Sequence, residues 1–283
     1  LPKLVREVAA DWGLTYDGAP LHGYCALVVP VRTAEAAPAM LKFSWPHDEE
    51  EHEYVALKAL DGDGMVRLLR ADPHRHAMLL ERLHAERDLT TLPVLEACEV
   101  VAGLYGRIHI AAPPVLRPLT SYIARWGDEM AALTAEAPIP HRLVEQRRSL
   151  AADLLADPAS VGTMIHGDLH YENVLAADRE PWVVIDPKPM SGDPHYEVAA
   201  MLWNRWPEAL ATGDARSAVR RRFDVIVERA GLDEDRARDW IVVRMVDNAW
   251  WAVQDAQRLD RPLSGEDHDW LTQCITVAKA VQG

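Results

Sequence analysis

Two short stretches of this chain hold oxygen ligands at regular spacing. In His166-Gly-Asp-Leu-His-Tyr-Glu-Asn173 an aspartate, Asp168, precedes an asparagine, Asn173, by five residues, and a second aspartate, Asp186, ends Trp182-Val-Val-Ile-Asp186. Between them Asp178-Arg-Glu-Pro181 has turn composition and separates two strand candidates, Asn173–Ala176 and Trp182–Ile185. A hairpin there folds Asp186 back toward Asn173. One carboxylate to orient an attacking hydroxyl, with further oxygen ligands to hold magnesium on nucleotide phosphates, is the set that phosphoryl transfer needs. The blander reading, in which His166 and Asp168 cap a loop and Asp186 starts a turn before Pro187, explains each motif singly but not both in this order.

Residues that must converge need elements to position them. Apolar or β-branched runs at Leu14–Asp17, Tyr24–Arg32 and Ala39–Ser44, bounded by Gly18, Gly23 and Pro38, predict a meander. The spacing turns helical between Pro46 and Leu60, with Asp48, Glu49, Glu50 and Glu51 in a first turn where the helix dipole favours acids. Asp61-Gly-Asp-Gly64 stops that helix, and two short strands follow at Val66–Arg70 and Ala77–Glu81. From Pro93 onward helical periods dominate, at Pro93–Ile110, His141–Ala156, Ala215–Ala230, Glu234–Leu259 and Gly265–Val281. The fold class expected is α+β in two lobes, a small antiparallel-sheet lobe over residues 1–83 and a large, mainly helical lobe over residues 84–283. Of the five lysines, Lys42 alone sits inside a strand candidate, where alternation points its charge against an apolar sheet.

The HxDxxxxN spacing is met in full, with Gly167 where protein kinases have Arg and Asp186-Pro187 in place of their DFG motif. The chain therefore resembles the protein kinase-like fold, in the HGDxxxxN and IDP forms of aminoglycoside phosphotransferases. The segments His166–Leu175, Glu180–Asp186, Ser191–Pro194, Gly62–Leu69 and Ala211–Phe223 are similar to the streptomycin 6-phosphotransferase and hydroxyurea phosphotransferase branch. This resemblance implies that Asp168 orients or deprotonates an acceptor hydroxyl, that Asn173 and Asp186 hold Mg2+, and that Lys42 clamps the phosphates of ATP, GTP being possible. Glu53 is the expected partner of Lys42, with Glu49 as the alternative; main-chain groups near Glu81 and Leu83 are expected to bind adenine. The loop Asp17–Gly23 covers the phosphates by position. His170 stands where protein kinases carry a lysine near the γ-phosphate and can donate either to phosphate or to backbone. Lys188 departs from the family pattern, standing where an acid is expected, and so do His195 and Glu197 after Gly192-Asp-Pro194.

Charge narrows the acceptor. Thirty basic against 44 acidic residues give −14, which repels nucleic acid and favours a cationic partner. Asp247, Trp251 and Asp255, at i, i+4 and i+8, form an acid-aromatic-acid stripe suited to a guanidinium or ammonium, with Asp193 and Glu197 as the other candidates for acceptor contact. The expected substrate is thus a cationic small-molecule antibiotic, streptomycin-like first. Alternatives are a hydroxyurea kinase, a kinase of a basic tuberactinomycin-type peptide, a small-metabolite kinase, and a pseudokinase-like protein that only sequesters a drug. No protein partner is evident. No apolar run reaches the ~18 residues of a membrane span, Leu1–Ala10 lacks a signal peptide's apolar block, and Cys25, Cys98 and Cys274 show no CxxC spacing. A cytoplasmic protein is expected. His74 and His76 read as a surface turn rather than a metal site, and Arg220, Arg221 and Arg222 as a solvated helix face.

Overall fold

The computed structural model describes residues 1–23, 25–47, 51–130 and 138–283, so Tyr24 and Glu49 lie outside the described residues. The chain opens with α1 (Pro2–Asp11), β1 (Thr15–Tyr16), β2 (Leu21–His22), β3 (Ala26–Arg32), β4 (Pro38–Ser44), α2 (Glu53–Leu60), β5 (Leu68–Asp72), β6 (Ala77–Glu81) and β7 (His84–Asp88). Next come α3 (Val94–Ile108), α4 (Leu119–Met130), α5 (His141–Ala156), β8 (Thr163–Ile165), β9 (Val174–Ala176), β10 (Val183–Val184) and β11 (Met190–Gly192). The chain ends with α6 (Val198–Trp203), α7 (Trp206–Ala211), α8 (Ala215–Ala230), α9 (Glu234–Arg258) and α10 (Gly265–Ala280).

Two compact units result, Leu1–Asp88 with Glu172–Pro189, and Leu89–Tyr171 with Met190–Gly283. That division differs from a single cut after residue 83, for a backbone reason. Strand β7 pairs with β9, and β9 with β10, so the hairpin is hydrogen-bonded into the first unit. Val66 N–H donates to the Val184 carbonyl and Val184 N–H to that of Gly64, which ties the hairpin to the segment after α2.

In the first unit the main sheet runs β1-β3-β4-β6-β5, with β2 paired to β3, all antiparallel. Alternation along β4 sends Ala39, Leu41 and Phe43 to one face, where they pack with Val29, Val31, Ala77 and Leu79 and with Val5, Val8, Ala9 and Trp12 from the N-terminal helix region. The residues of α1 recur at i, i+3 and i+4, so α1 is the cover that this face of the sheet needs. The opposite face of β4 carries Lys42, opposite Val28 and Met78.

In the second unit α4, α5 and α9 enclose Leu119, Ile123, Ala151, Leu154, Trp240 and Val243, with Ile165 of β8 and Met190 of β11 packed against them. Gly192 is required there, since a Cβ would stand 2.5 Å from Ile165 Cδ1. Asp214, Asp233 and Ser264 accept hydrogen bonds from the first turns of α8, α9 and α10, which fixes where those helices start. Arg222 is not on a solvated face. It is 1% exposed and donates to the carbonyls of Asn204 and Arg205, completing the end of α6. Among the described residues no group of three or more His, Cys, Asp and Glu could hold a metal, and no helix is long and apolar enough to cross a membrane.

Candidate active site

Lys42 is 4% exposed, and its Nζ donates to both carboxylate oxygens of Glu53 at 2.7 Å and to Asp186 Oδ1 at 2.5 Å. Glu53 opens α2 and is 1% exposed, so the first residue of that helix turns inward while Glu51 before it is exposed. Burial alone would lower the Lys42 ammonium. The Glu53 and Asp186 carboxylates outweigh it and hold the group above the ordinary lysine value, fully charged. Burial would likewise raise Asp186, but Lys42 and Lys188 hold its carboxyl well below the usual range.

Asp186 follows β10 with φ +56°, a left-handed conformation that aspartate adopts more readily than most non-glycine residues. The Ile185 N–H donates to the Asn173 carbonyl, which aligns the segment carrying Asp186 beside the start of β9. One carboxylate and one carboxamide, both oxygen donors, suit Mg2+, a hard cation that keeps several waters and takes one or two protein ligands. The residues present therefore fit that ion.

The Glu81 side chain is committed within the first unit. Its carboxylate receives Arg179 Nη2 at 2.8 Å and the Arg67 N–H at 2.8 Å, while its own N–H donates to the Arg67 carbonyl. The side chain thus holds the β9-β10 turn, and Leu83, half-buried, lies between β6 and β7.

In the second unit the loop after β8 carries Asp168. Gly167 has φ +84°, which explains a glycine where protein kinases have Arg. The loop is fixed from beneath by two buried charges. Glu197 accepts from the His166 N–H at 3.1 Å and the Gly167 N–H at 2.8 Å, and Arg244 Nη2 donates to the Gly167 carbonyl at 2.6 Å. Burial alone would raise Glu197, yet His109, His166 and the Gly167 N–H keep its carboxyl below the ordinary value. His166 Nδ1 accepts from the Asp168 N–H, and the Asp168 side chain, 40% exposed, has His170 Nε2 3.9 Å from Oδ2. The loop therefore presents Asp168 and His170 together from a braced backbone. Arg244 was not anticipated; its signal was a lone charge inside the apolar run Ile241-Val-Val-Arg-Met-Val246.

The acceptor candidates divide. Glu197 is fully buried and braces the loop, so it is not placed to touch an acceptor. Asp193, 1% exposed, receives Arg236 Nε at 2.5 Å, Trp240 Nε1 at 2.7 Å and the His195 N–H at 3.0 Å, and serves as a structural anion. Asp247, 4% exposed, is held by Arg147 through Nε at 2.7 Å and Nη2 at 3.0 Å. The expected stripe is therefore not one exposed face. An i+4 step rotates about 40° around a helix, which carries the line from the core at Asp247 to solvent at Trp251, with Asp255 half-buried one step further on. Those two, with Trp126, Arg125 and Arg258, line a recess of about 520 Å³. Asp255 is paired with Arg258 at 2.6 Å and Arg261 at 3.4 Å.

Residues 11–256 match the sequence profile of the aminoglycoside/hydroxyurea antibiotic resistance kinases. The chain is 38% identical to a streptomycin 6-kinase of Streptomyces glaucescens over all of this chain and 90% of that one. It is 41% identical to a streptomycin 6-kinase of Streptomyces griseus, covering 90% of this chain and 84% of that one. A hydroxyurea phosphotransferase of Kitasatospora aureofaciens is 39% identical, covering 91% and 74%. Among solved structures, a thermostable mutant of aminoglycoside phosphotransferase APH(4)-Ia in ternary complex with ADP and hygromycin B superposes with a TM-score of 0.63 at 16% identity, over 98% of both chains. Choline kinase LicA from Streptococcus pneumoniae gives 0.62 at 13%, over 99% and 98%. Those structural likenesses establish the two-lobed kinase-like fold. With a profile spanning most of the chain and relatives near 40% identical along nearly all of it, the chain belongs to the aminoglycoside/hydroxyurea antibiotic resistance kinase family.

Proposed function

We propose that this protein inactivates a cationic antibiotic, a streptomycin-like aminoglycoside first, by transferring the γ-phosphoryl group of ATP to one of its hydroxyls. The observation that carries the phosphate chemistry is the buried Lys42 ammonium held between the Glu53 and Asp186 carboxylates. That arrangement keeps a charged ammonium ready for phosphate oxygens without rotamer search. Asn173 and Asp186 would hold Mg2+, which when bound neutralises charge on the transferring phosphate. Asp168 orients the acceptor hydroxyl and takes its proton, and His170 stands beside it with Nε2 3.9 Å from Oδ2. Main-chain groups around Glu81 and Leu83 would take the adenine, and the Trp251–Asp255 recess is the acceptor candidate that remains exposed. ATP supply makes the cytoplasm the expected compartment. The residue pattern of a drug-sequestering protein has no need of both magnesium ligands and the lysine.

Similarity to two streptomycin 6-kinases supports the substrate, and the comparable similarity to a hydroxyurea phosphotransferase supports hydroxyurea as the second reading. The test is incubation of the purified protein with ATP, magnesium and a panel of streptomycin, other aminoglycosides, tuberactinomycins and hydroxyurea. Mass spectrometry should find one added phosphoryl group on streptomycin with stoichiometric ADP. Phosphorylation of hydroxyurea alone would select the second reading, and binding without ADP release would overturn the enzymatic one.

A further inference from the structure

Lys188 has no part in the chemistry above, although it stands two residues after Asp186. Its Nζ lies 3.3 Å from Oδ1 and 3.2 Å from Oδ2 of that carboxylate, while Lys42 approaches Oδ1 at 2.5 Å. Asp186 is thus held between two ammonium groups. The second is displayed from a stiff segment, because Pro187 and Pro189 flank Lys188 and a proline restricts both its own φ and the residue before it. The Lys188 side chain is 18% exposed, so little freedom is left for it to lose on binding.

The charge balance around Asp186 suggests what this cation does. Lys42 and Lys188 both face the Asp186 carboxylate, and Lys42 also holds Glu53. A divalent cation arriving alone adds positive charge beside both lysines and must displace Lys188 from the carboxylate. Arriving with a polyphosphate, the same cation brings more negative than positive charge, and the displaced ammonium gains oxygens to bind.

We propose that Lys188 is a second phosphate-site cation that covers Asp186 until nucleotide and metal enter together, then turns from the carboxylate to the phosphate oxygens. This rests on the phosphotransferase reading for its ligand. It makes metal and nucleotide binding mutually dependent.

The test uses Mn2+ as the probe, by electron paramagnetic resonance of the free ion without nucleotide, and calorimetric titration of ADP in the presence of Mn2+. A charged hydrogen bond contributes roughly 1.5–3 kcal/mol, so losing it is on the order of tenfold or more in affinity. Lys188→Met should bind Mn2+ alone about tenfold more tightly than wild type and Mn-ADP about tenfold more weakly. Lys188→Gln repeats the neutral arm with a polar side chain, and Lys188→Arg should stay near wild type for Mn2+ alone. Unchanged or weaker Mn2+ affinity in the neutral variants overturns the covering role, and unchanged Mn-ADP affinity overturns the phosphate contact. Absence of Mn-ADP binding by wild type would instead overturn the phosphotransferase reading, with the Mn2+ titration still deciding whether Lys188 covers Asp186.

Discussion

Asp168 and Glu53 are assigned to different partners, and their variants should separate. Asp168→Ala removes the group assigned to the acceptor hydroxyl, so kcat should fall by about 10²- to 10⁴-fold while ATP affinity stays near wild type. Steady-state kinetics with a parallel nucleotide titration measures both, and a wild-type kcat would remove Asp168 from its role. Glu53→Gln takes one of two anions from Lys42 and leaves its ammonium drawn to Asp186 alone. KM for ATP should rise on the order of tenfold with KM for the antibiotic unchanged; a shift confined to the antibiotic would contradict that geometry. At this scale the sequence was informative where spacing or context was unusual. Asp168, Asn173 and Asp186 stood out by their intervals, and Lys42 by being a charge in an apolar strand. Nothing in the sequence marked Glu197, Asp193 or Asp247 as buried, because their partners stand 31, 43 and 100 residues away.

Helices and strands show the same division. α5 and α8 begin and end where apolar periodicity places them, and α9 and α10 differ by one residue at one end. By contrast α1, α4 and the strands β7, β8 and β11 were not anticipated; β7, His84-Ala-Glu-Arg-Asp88, has a single apolar residue and so no alternation to read. Long-range pairs tie these elements together. Asp247→Ala would leave Arg147 of α5 charged and unpaired in the core, which costs about 3–5 kcal/mol. Urea unfolding should show that loss, and the double variant Arg147→Met with Asp247→Leu should recover most of it; an unchanged midpoint in Asp247→Ala would return Asp247 to the list of substrate contacts. Asp193 ties β11 to α9 through Arg236 and Trp240. Burial alone would raise its carboxyl, but His195 and Trp240 donate to it and hold it below the ordinary aspartate value. A depressed folded value means that its stabilisation is present above the unfolded pKa of about 3.9 and is lost as pH falls through the folded one. Wild-type stability should therefore drop below about pH 4, and Asp193→Asn, less stable at pH 7, should show a shallower acid limb. Parallel limbs would assign the acid sensitivity elsewhere.

At the scale of the whole molecule the −14 charge should attract a cationic drug over distance, with salt screening that attraction over a Debye length of ~10 Å at 0.1 M. KM for streptomycin should rise with ionic strength at saturating ATP-magnesium, and a flat response would eliminate electrostatic capture. Asp255→Asn should leave the slope nearly unchanged, because Arg258 and Arg261 already neutralise that acid; a halved slope would show that Asp255 itself docks the drug. The reaction class was readable from the chain alone, since HGDxxxxN and the IDP hairpin place their ligands by covalent spacing, and a few residues of backbone bound how far apart their oxygens can be. The two-part α+β organisation was readable for a related reason, as apolar periods of two and of 3.6 residues differ over any long element. What a buried charge does was decided only by the tertiary structure. Burial belongs to a residue's neighbours and not to its type, and Glu197 under the Asp168 loop and Asp247 against Arg147 acquire their roles when packing removes the water that would otherwise screen them.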